Sequence, residues 1–352
     1  MVDKDFCLSS YMAFRYLWKE GVDFAEGFQH KNYIPALEDS RIPVKTAMDI
    51  DREIKKQFDE LYKRYDNIGI LLSGGMDSAN LASYLKPGSH AFTFTTSSGD
   101  VFNKDIERAS YYCEKFRLNH HLVEINFNDF EEFTPVVMKH KFAPVHSIEP
   151  QIYKAATIAQ EYGVQLIIVG ESADLIFGGM DKLISPQWSF DAFMQRYIFL
   201  DPFLVLSHPV GQDELFEKFR TGENTIDYMR FMDEVFAIES SGSYLNAFGA
   251  AWMPYYDPYA ILIMADPLDM NRIRNGEPKY LIRELYASKY PELEIPFKIP
   301  MPRPVDAVFS NWDGPIRKEF RRAIDMQSLS GNQKWQLWCA ELFLNMLDTH
   351  LS

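Results

Sequence analysis

The chain has little cysteine. Cys7, Cys113 and Cys339 are three among 352 residues, far apart and in no CxxC pair, so neither a disulfide framework nor a zinc site is suggested, and a reducing cytosol fits. Positive charge is also short. Lys and Arg total 36 against 50 Asp and Glu, a net charge of −14, which argues against a nucleic-acid backbone as the main partner, since such binders cluster Lys and Arg. No apolar run nears 18 residues, and MVDKDFCLSS has no signal-peptide core, so no membrane insertion and a cytoplasmic location are expected. Internal repeats and low-complexity tracts are missing. So is the Walker phosphate loop GxxxxGK[ST]. What remains is 47% hydrophobic and 24% charged, the balance of a soluble globular protein long enough for one large domain or two smaller ones.

The most informative stretch is IGILLSGGMDSANL, residues 68–81. Four apolar residues run into Ser73-Gly74-Gly75, then Asp77 and Ser78, then helix-compatible sequence, the pattern of a buried strand, a tight loop and a helix start. Paired glycines and free N–H groups at a helix start suit a phosphate. Asp77 is the wrong charge for an anion unless a metal stands between. Mg²⁺ favours a carboxylate or two plus phosphate oxygens, so a metal–nucleotide complex reconciles the motif.

Residues 1 to about 50 read as irregular, with two prolines in a surface connection and an aromatic run at 11–18. Residues 48–65 place Ile50, Ile54, Phe58, Leu61 and Tyr62 at helical spacing. Apolar strands are then expected at 68–72, 91–96, 121–125 and 166–170, with helical stretches between them, which predicts an α/β fold built on a parallel sheet flanked by helices. Ligands on such sheets sit beyond the carboxyl ends of the strands. After about residue 180 the alternation gives way to aromatic-rich helical stretches, five prolines crowd residues 291–304, and a last helix spans 332–347. The expected division is 1–47 as a linker-like segment, 48–185 as the nucleotide core, and 186–352 as a mostly helical part completing the substrate site.

A second motif, GESADLIFGG, follows the fourth expected strand. Glu171 and Asp174, three positions apart, can project from one turn to the same side. If Asp77 and Asp174 meet across adjacent strand ends, they form a two-carboxylate seat for Mg²⁺ on ATP.

SGGMDS resembles the SGGxDS pyrophosphate loop of the N-type ATP pyrophosphatases, and GESADLIFGG about 95 residues later is similar to the GEGADELFGG motif of the asparagine synthetase family. HSIEP, MPYYDP and GEPKYLIRELY resemble further stretches of its synthetase domain, so the likeness covers roughly residues 60 to 300. It implies an adenine nucleotide alpha hydrolase-like fold. It also implies an ATP-dependent ligase that adenylates a carboxylate, releases pyrophosphate, and passes the acyl group to ammonia or another amine. On this likeness Ser73, Gly74, Gly75, Asp77 and Ser78 bind the nucleotide, Asp77 and Asp174 hold Mg²⁺, and Glu171 lies beside the acyl-adenylate and the incoming amine. Lys298 falls near the family's transition-state lysine. Lys279 is the runner-up, with a structural or phosphate contact as its other reading.

The departures carry information. Asparagine synthetases begin with a glutaminase domain whose cysteine nucleophile follows the initiator methionine, whereas residue 2 here is Val, so nitrogen is expected free or from a separate glutaminase subunit. Ser172 and Leu175 replace the family's Gly and Glu, which makes aspartate a poor acceptor and favours another small-molecule or sugar carboxylate. Relatives that close a β-lactam ring commonly carry Tyr at the position of Glu171, so Glu171 favours an intermolecular amide. His120-His121 has no third ligand at metal spacing. Residues 239–243 read as a turn, and the aromatic stretches after 190 read as core. Two competing functions share the loop class: a tRNA-modifying enzyme, disfavoured by the charge and scattered cysteines, and a non-catalytic nucleotide-binding partner subunit, disfavoured by intact Asp77, Glu171 and Asp174.

Overall fold

A computed structural model describes residues 1–96, 103–297 and 301–351. The strands among them are β1 (Ile42–Val44), β2 (Ile68–Leu71), β3 (His90–Thr95), β4 (Asn119–Glu124), β5 (Leu166–Ile168), β6 (Arg220–Gly222), β7 (Thr225–Ile226), β8 (Tyr255–Tyr256) and β9 (Leu262–Met264). Five form one sheet in the order β4-β3-β2-β5-β8, with every neighbouring pair parallel. Helices flank it, so the predicted architecture is the observed one. Every residue of β2 and β5 is buried, which in a parallel sheet requires cover on both faces.

The cover comes from sequence that reads as amphipathic. α1 is Lys4–Phe14, α2 Ala47–Leu61, α3 Met76–Ala82, α4 Asn103–Phe116, α5 Phe127–Lys141, α6 Glu149–Glu161 and α7 Ala173–Ile176. Thr46 and Asp49 form a capping box at the start of α2, satisfying backbone N–H groups that a helix start leaves unpaired. Ile50, Ile54 and Phe58 are its buried face, worth roughly 1.5–3 kcal/mol each if fully removed from water. α3 packs on α4 and on the helix Tyr280–Lys289, while α5 and α6 pack on the helix Ala237–Ala250.

Chain order explains where a ligand can enter. From β2 the chain steps outward to β3 and β4, then crosses back to place β5 on the other side of β2. At such a reversal the connections leave in opposite directions and open a crevice beyond the strand ends. Gly69 pairs with His90 on one side and Ile167 on the other, so the loops after β2 and β5 emerge side by side. Both chemical motifs lie on those loops.

Two readings of the sequence need correction. The opening residues are not irregular, because Lys4–Phe14 is a helix buried from Phe6 to Phe14; a helix enclosed on all sides shows no apolar stripe. Residues 239–243 are not a turn but the first part of the helix Ala237–Ala250, in which the Ser243 hydroxyl donates back to the Glu239 carbonyl (3.3 Å). The serines and Gly242 suggest a turn because such residues favour turns when no packing decides.

Candidate active site

The loop after β2 is shaped by its own serines. Ser73 N–H donates to the Ser78 hydroxyl (3.1 Å), the two hydroxyls lie 3.1 Å apart, and Gly75 N–H donates to Ser73 Oγ (3.1 Å). These serines therefore brace the loop. The N-cap of α3 is Gly75, which has no side chain to cap it. Gly74 runs against the start of α4: a Cβ there would lie 2.5 Å from Asp105 Oδ1 and 2.7 Å from the Asp105 carbonyl oxygen. Only glycine permits that approach. Burial holds the Asp105 carboxyl above its usual range, although Gly74 N–H donates to it.

Asp77 projects from the first turn of α3 and Asp174 from α7. They converge on one cation: Lys279 Nζ lies 2.6 Å from Asp77 Oδ2 and 2.7 Å from Asp174 Oδ1. Lys279 is 5% exposed, stands immediately before the helix Tyr280–Lys289, and has a left-handed backbone with φ +55°. For a residue with a Cβ that conformation is costly, so the surroundings must impose it. Burial pulls the ammonium down, but the charges of Asp77 and Asp174 outweigh it and hold the group above its usual range. The close fit extends to Gly179, where a Cβ would stand 2.8 Å from Lys279 Cδ.

A cavity of about 180 Å³ opens at this point, and Ser73, Asp77, Ser78, Glu171 and Asp174 all contribute to its wall. Glu171 is aimed by the helix Ala237–Ala250. Ser240 donates a hydroxyl hydrogen bond to its Oε1, and Tyr244, one turn further on, presents its hydroxyl to the same carboxylate. The i, i+4 spacing puts both hydroxyls on one helix face. Burial first, and then the Glu171 charge, push the Tyr244 phenol well above its usual range, so it remains a donor.

The structure thus brings together Ser73, Gly74, Gly75, Asp77, Ser78, Glu171, Asp174 and Lys279. Lys298 lies outside the described residues. Met301 and Pro302, just beyond it in the proline-rich segment, line the cavity. His121 Nε2 is 2.8 Å from His90 Nδ1, and no group of three His, Cys, Asp or Glu that could hold a metal ion occurs among the described residues. Sequence reading takes Ser240 as part of a turn with substrate contact as the lesser alternative, takes the aromatics after 190 mainly as core with one or two lining an acceptor pocket, gives no role to Asp105, and quotes Asp257 without one. Asp257 follows β8 directly, and an acid just past a strand of a parallel sheet is the signal that could have found it. Its carboxylate accepts from Ser172 N–H (2.7 Å) and Tyr259 N–H (3.0 Å).

The sequence model of the family described as asparagine synthase matches residues 51–247, more than half of the chain. The chain belongs to the asparagine synthase family. Membership makes it part of an ATP-dependent ligase family, and residues 51–247 span both motif loops together with Ser240 and Tyr244. No curated protein sequence matches it. Among solved structures it is similar to the NH3-dependent NAD synthetase of Campylobacter jejuni, at 20% identity and TM-score 0.27, covering 38% of this chain and 60% of that one. It is also similar to the NMN synthetase of Francisella tularensis, at 13% identity and TM-score 0.29, covering 73% of this chain and 100% of that one. The U34-tRNA thiolase of Methanococcus maripaludis matches at 12% identity and TM-score 0.28, over 72% and 82%. Likenesses this low assign no chemistry. No helix among the described residues is long and apolar enough to cross a membrane.

Proposed function

We propose that this asparagine synthase family member adenylates a carboxylate with ATP, releases pyrophosphate, and transfers the acyl group to ammonia or another amine. The observation that carries the reading is the convergence of Asp77, Asp174 and Lys279 at the β2/β5 crevice, with Glu171 on the wall of the same cavity. An oxygen of the acceptor carboxylate attacks the α-phosphorus and the bond to pyrophosphate breaks. Negative charge grows on the phosphoryl oxygens, and in this reading Lys279 and the free N–H groups at the start of α3 stabilise it. The amine nitrogen then attacks the acyl carbon, AMP leaves, and Glu171, oriented by Ser240 and Tyr244, accepts the proton released by the nitrogen.

The donor set fits magnesium, since two carboxylates share one cation at the mouth of the loop. Asp77 and Asp174 would hold the ion, and bound there it would neutralise phosphate charge. Asp77→Asn and Asp174→Asn are each expected to lower turnover by at least about 10²-fold, with a smaller change in unfolding midpoint than loss of the lysine would cause, because each variant leaves the Lys279 ammonium paired with the other carboxylate. Steady-state rates and urea unfolding of the two variants check this.

The net charge of −14 supports a small carboxylate acceptor over tRNA, and the free buried cysteines Cys7, Cys113 and Cys339 suit a cytoplasmic location. The reading is tested by chromatography of the nucleotide products during a screen of carboxylic acids with ammonium present. AMP and pyrophosphate are expected. ADP and phosphate as the sole products would overturn it.

A further inference from the structure

Glu171 and Tyr244 have a second side. Together with Val169 they line both the cavity described above and a separate one of about 290 Å³. They are therefore the partition between two chambers. The second chamber is also walled by Tyr33, Tyr255, Tyr256, Ser241 and Asp257. By the volume of a water molecule, it has room for about ten non-hydrogen atoms.

Its chemistry is one-sided. Two carboxylates and four tyrosines face it, and no lysine or arginine contributes to its wall among the described residues. Arg41, whose charge reaches Tyr33, lines a neighbouring cavity and is turned to Asp233, at 3.6 Å. A carboxylate ligand would find no counter-ion here, whereas a cation would find tyrosine faces and acid oxygens. Asp257 is already oriented, because its two oxygens are fixed by Ser172 N–H and Tyr259 N–H. Burial, with a smaller contribution from the Glu171 charge, pushes its carboxyl up to about 7 against the pull of those donors. An entering ammonium would relieve that burial cost by pairing with the charged form.

We propose that this chamber binds the nitrogen nucleophile, and that the nucleophile is an organic primary amine entering as its ammonium ion. The proposal rests on the acyl-transfer reading of Glu171 and adds the class of the second substrate. The ammonium gives its first proton to the Asp257 carboxylate. The free amine nitrogen forms a bond to the acyl carbon while the bond from that carbon to the AMP oxygen breaks, and the second proton passes to Glu171. Both protons then return to water. Ammonia alone would leave most of the chamber unfilled and forgo the aromatic contacts, so it serves as a poorer nucleophile.

The test uses benzylamine as probe and benzyl alcohol as its neutral match, titrated into the full chain by calorimetry near pH 8. The wild type is expected to bind benzylamine at least tenfold more tightly than the alcohol, and Asp257→Asn is expected to abolish that preference. Tyr33→Leu, which removes one aromatic wall without touching the buried carboxyl, should weaken benzylamine several-fold and keeps the test open if Asp257→Asn does not fold. Equal binding of amine and alcohol, no saturable binding of benzylamine, or an unchanged preference in a folded Asp257→Asn would overturn the proposal. Acid-dependent exchange of pyrophosphate into ATP, measured without amine, separates the two failures. Exchange without amine selectivity removes the chamber's role and leaves the ligase. Selective benzylamine binding without exchange for any acid removes the ligase reading instead.

Discussion

Lys279→Ala is expected to lower turnover by about 10³-fold and to destabilise the fold by roughly 3–5 kcal/mol. Both effects come from one contact. Lys279 is 5% exposed, and its ammonium lies 2.6 Å and 2.7 Å from carboxylates on α3 and α7. Its removal takes from Asp77 and Asp174 the buried cation they share, and on the proposed reading it also takes away a positive charge that offsets charge growing on the phosphoryl oxygens. Millimolar Mg²⁺ should restore part of the lost stability without restoring turnover, because the vacated pair still offers two carboxylates. Urea unfolding with and without Mg²⁺ reads the first effect and steady-state kinetics the second. An unfolding midpoint equal to wild type would show that the lysine does not hold the two loops together. Lys298→Ala is expected to lower kcat while leaving ATP affinity intact, the mark of a group that acts on the transition state.

Glu171→Gln is expected to separate the two half-reactions. Glutamine keeps the shape of the side chain and can still accept from Ser240, but it cannot take a proton from the attacking nitrogen. Amide formation should fall by about 10³-fold. Acid-dependent formation of the adenylate, followed as pyrophosphate exchange, should persist within about tenfold, since Glu171 is not among the groups placed on the phosphates. Equal losses in both assays would move Glu171 from proton transfer to nucleotide binding.

The parts of the site legible in sequence are those whose signal is local. The strand–loop–helix around Ser73 to Ser78 carries its geometry in consecutive residues, and the Glu171–Asp174 turn does the same after β5. Parallel strands buried on both faces read as short apolar runs, so β2, β3 and β5 stand out from the sequence. β8 does not, because two residues, Tyr255 and Tyr256, cannot display a period. The aim of Glu171 is likewise hidden: Ser240 and Tyr244 reach it from 69 and 73 residues away, along a helix whose serines and glycine imitate a turn. Lys279 is the instructive case. Its neighbours suggest a helix interior, yet it stands before the helix start in a left-handed conformation, and only the fold shows that its ammonium joins Asp77 to Asp174.

The central claim is that ATP is cleaved between its α and β phosphates by a carboxylate. It is tested most directly by following labelled pyrophosphate into ATP with each acid of the screen, in the absence of any amine. The account predicts that at least one acid supports exchange, that omission of the acid abolishes it, and that Asp77→Asn and Asp174→Asn reduce it by at least about 10²-fold. Exchange that proceeds equally without acid, or ATP consumption that yields ADP with no exchange for any acid, would contradict it.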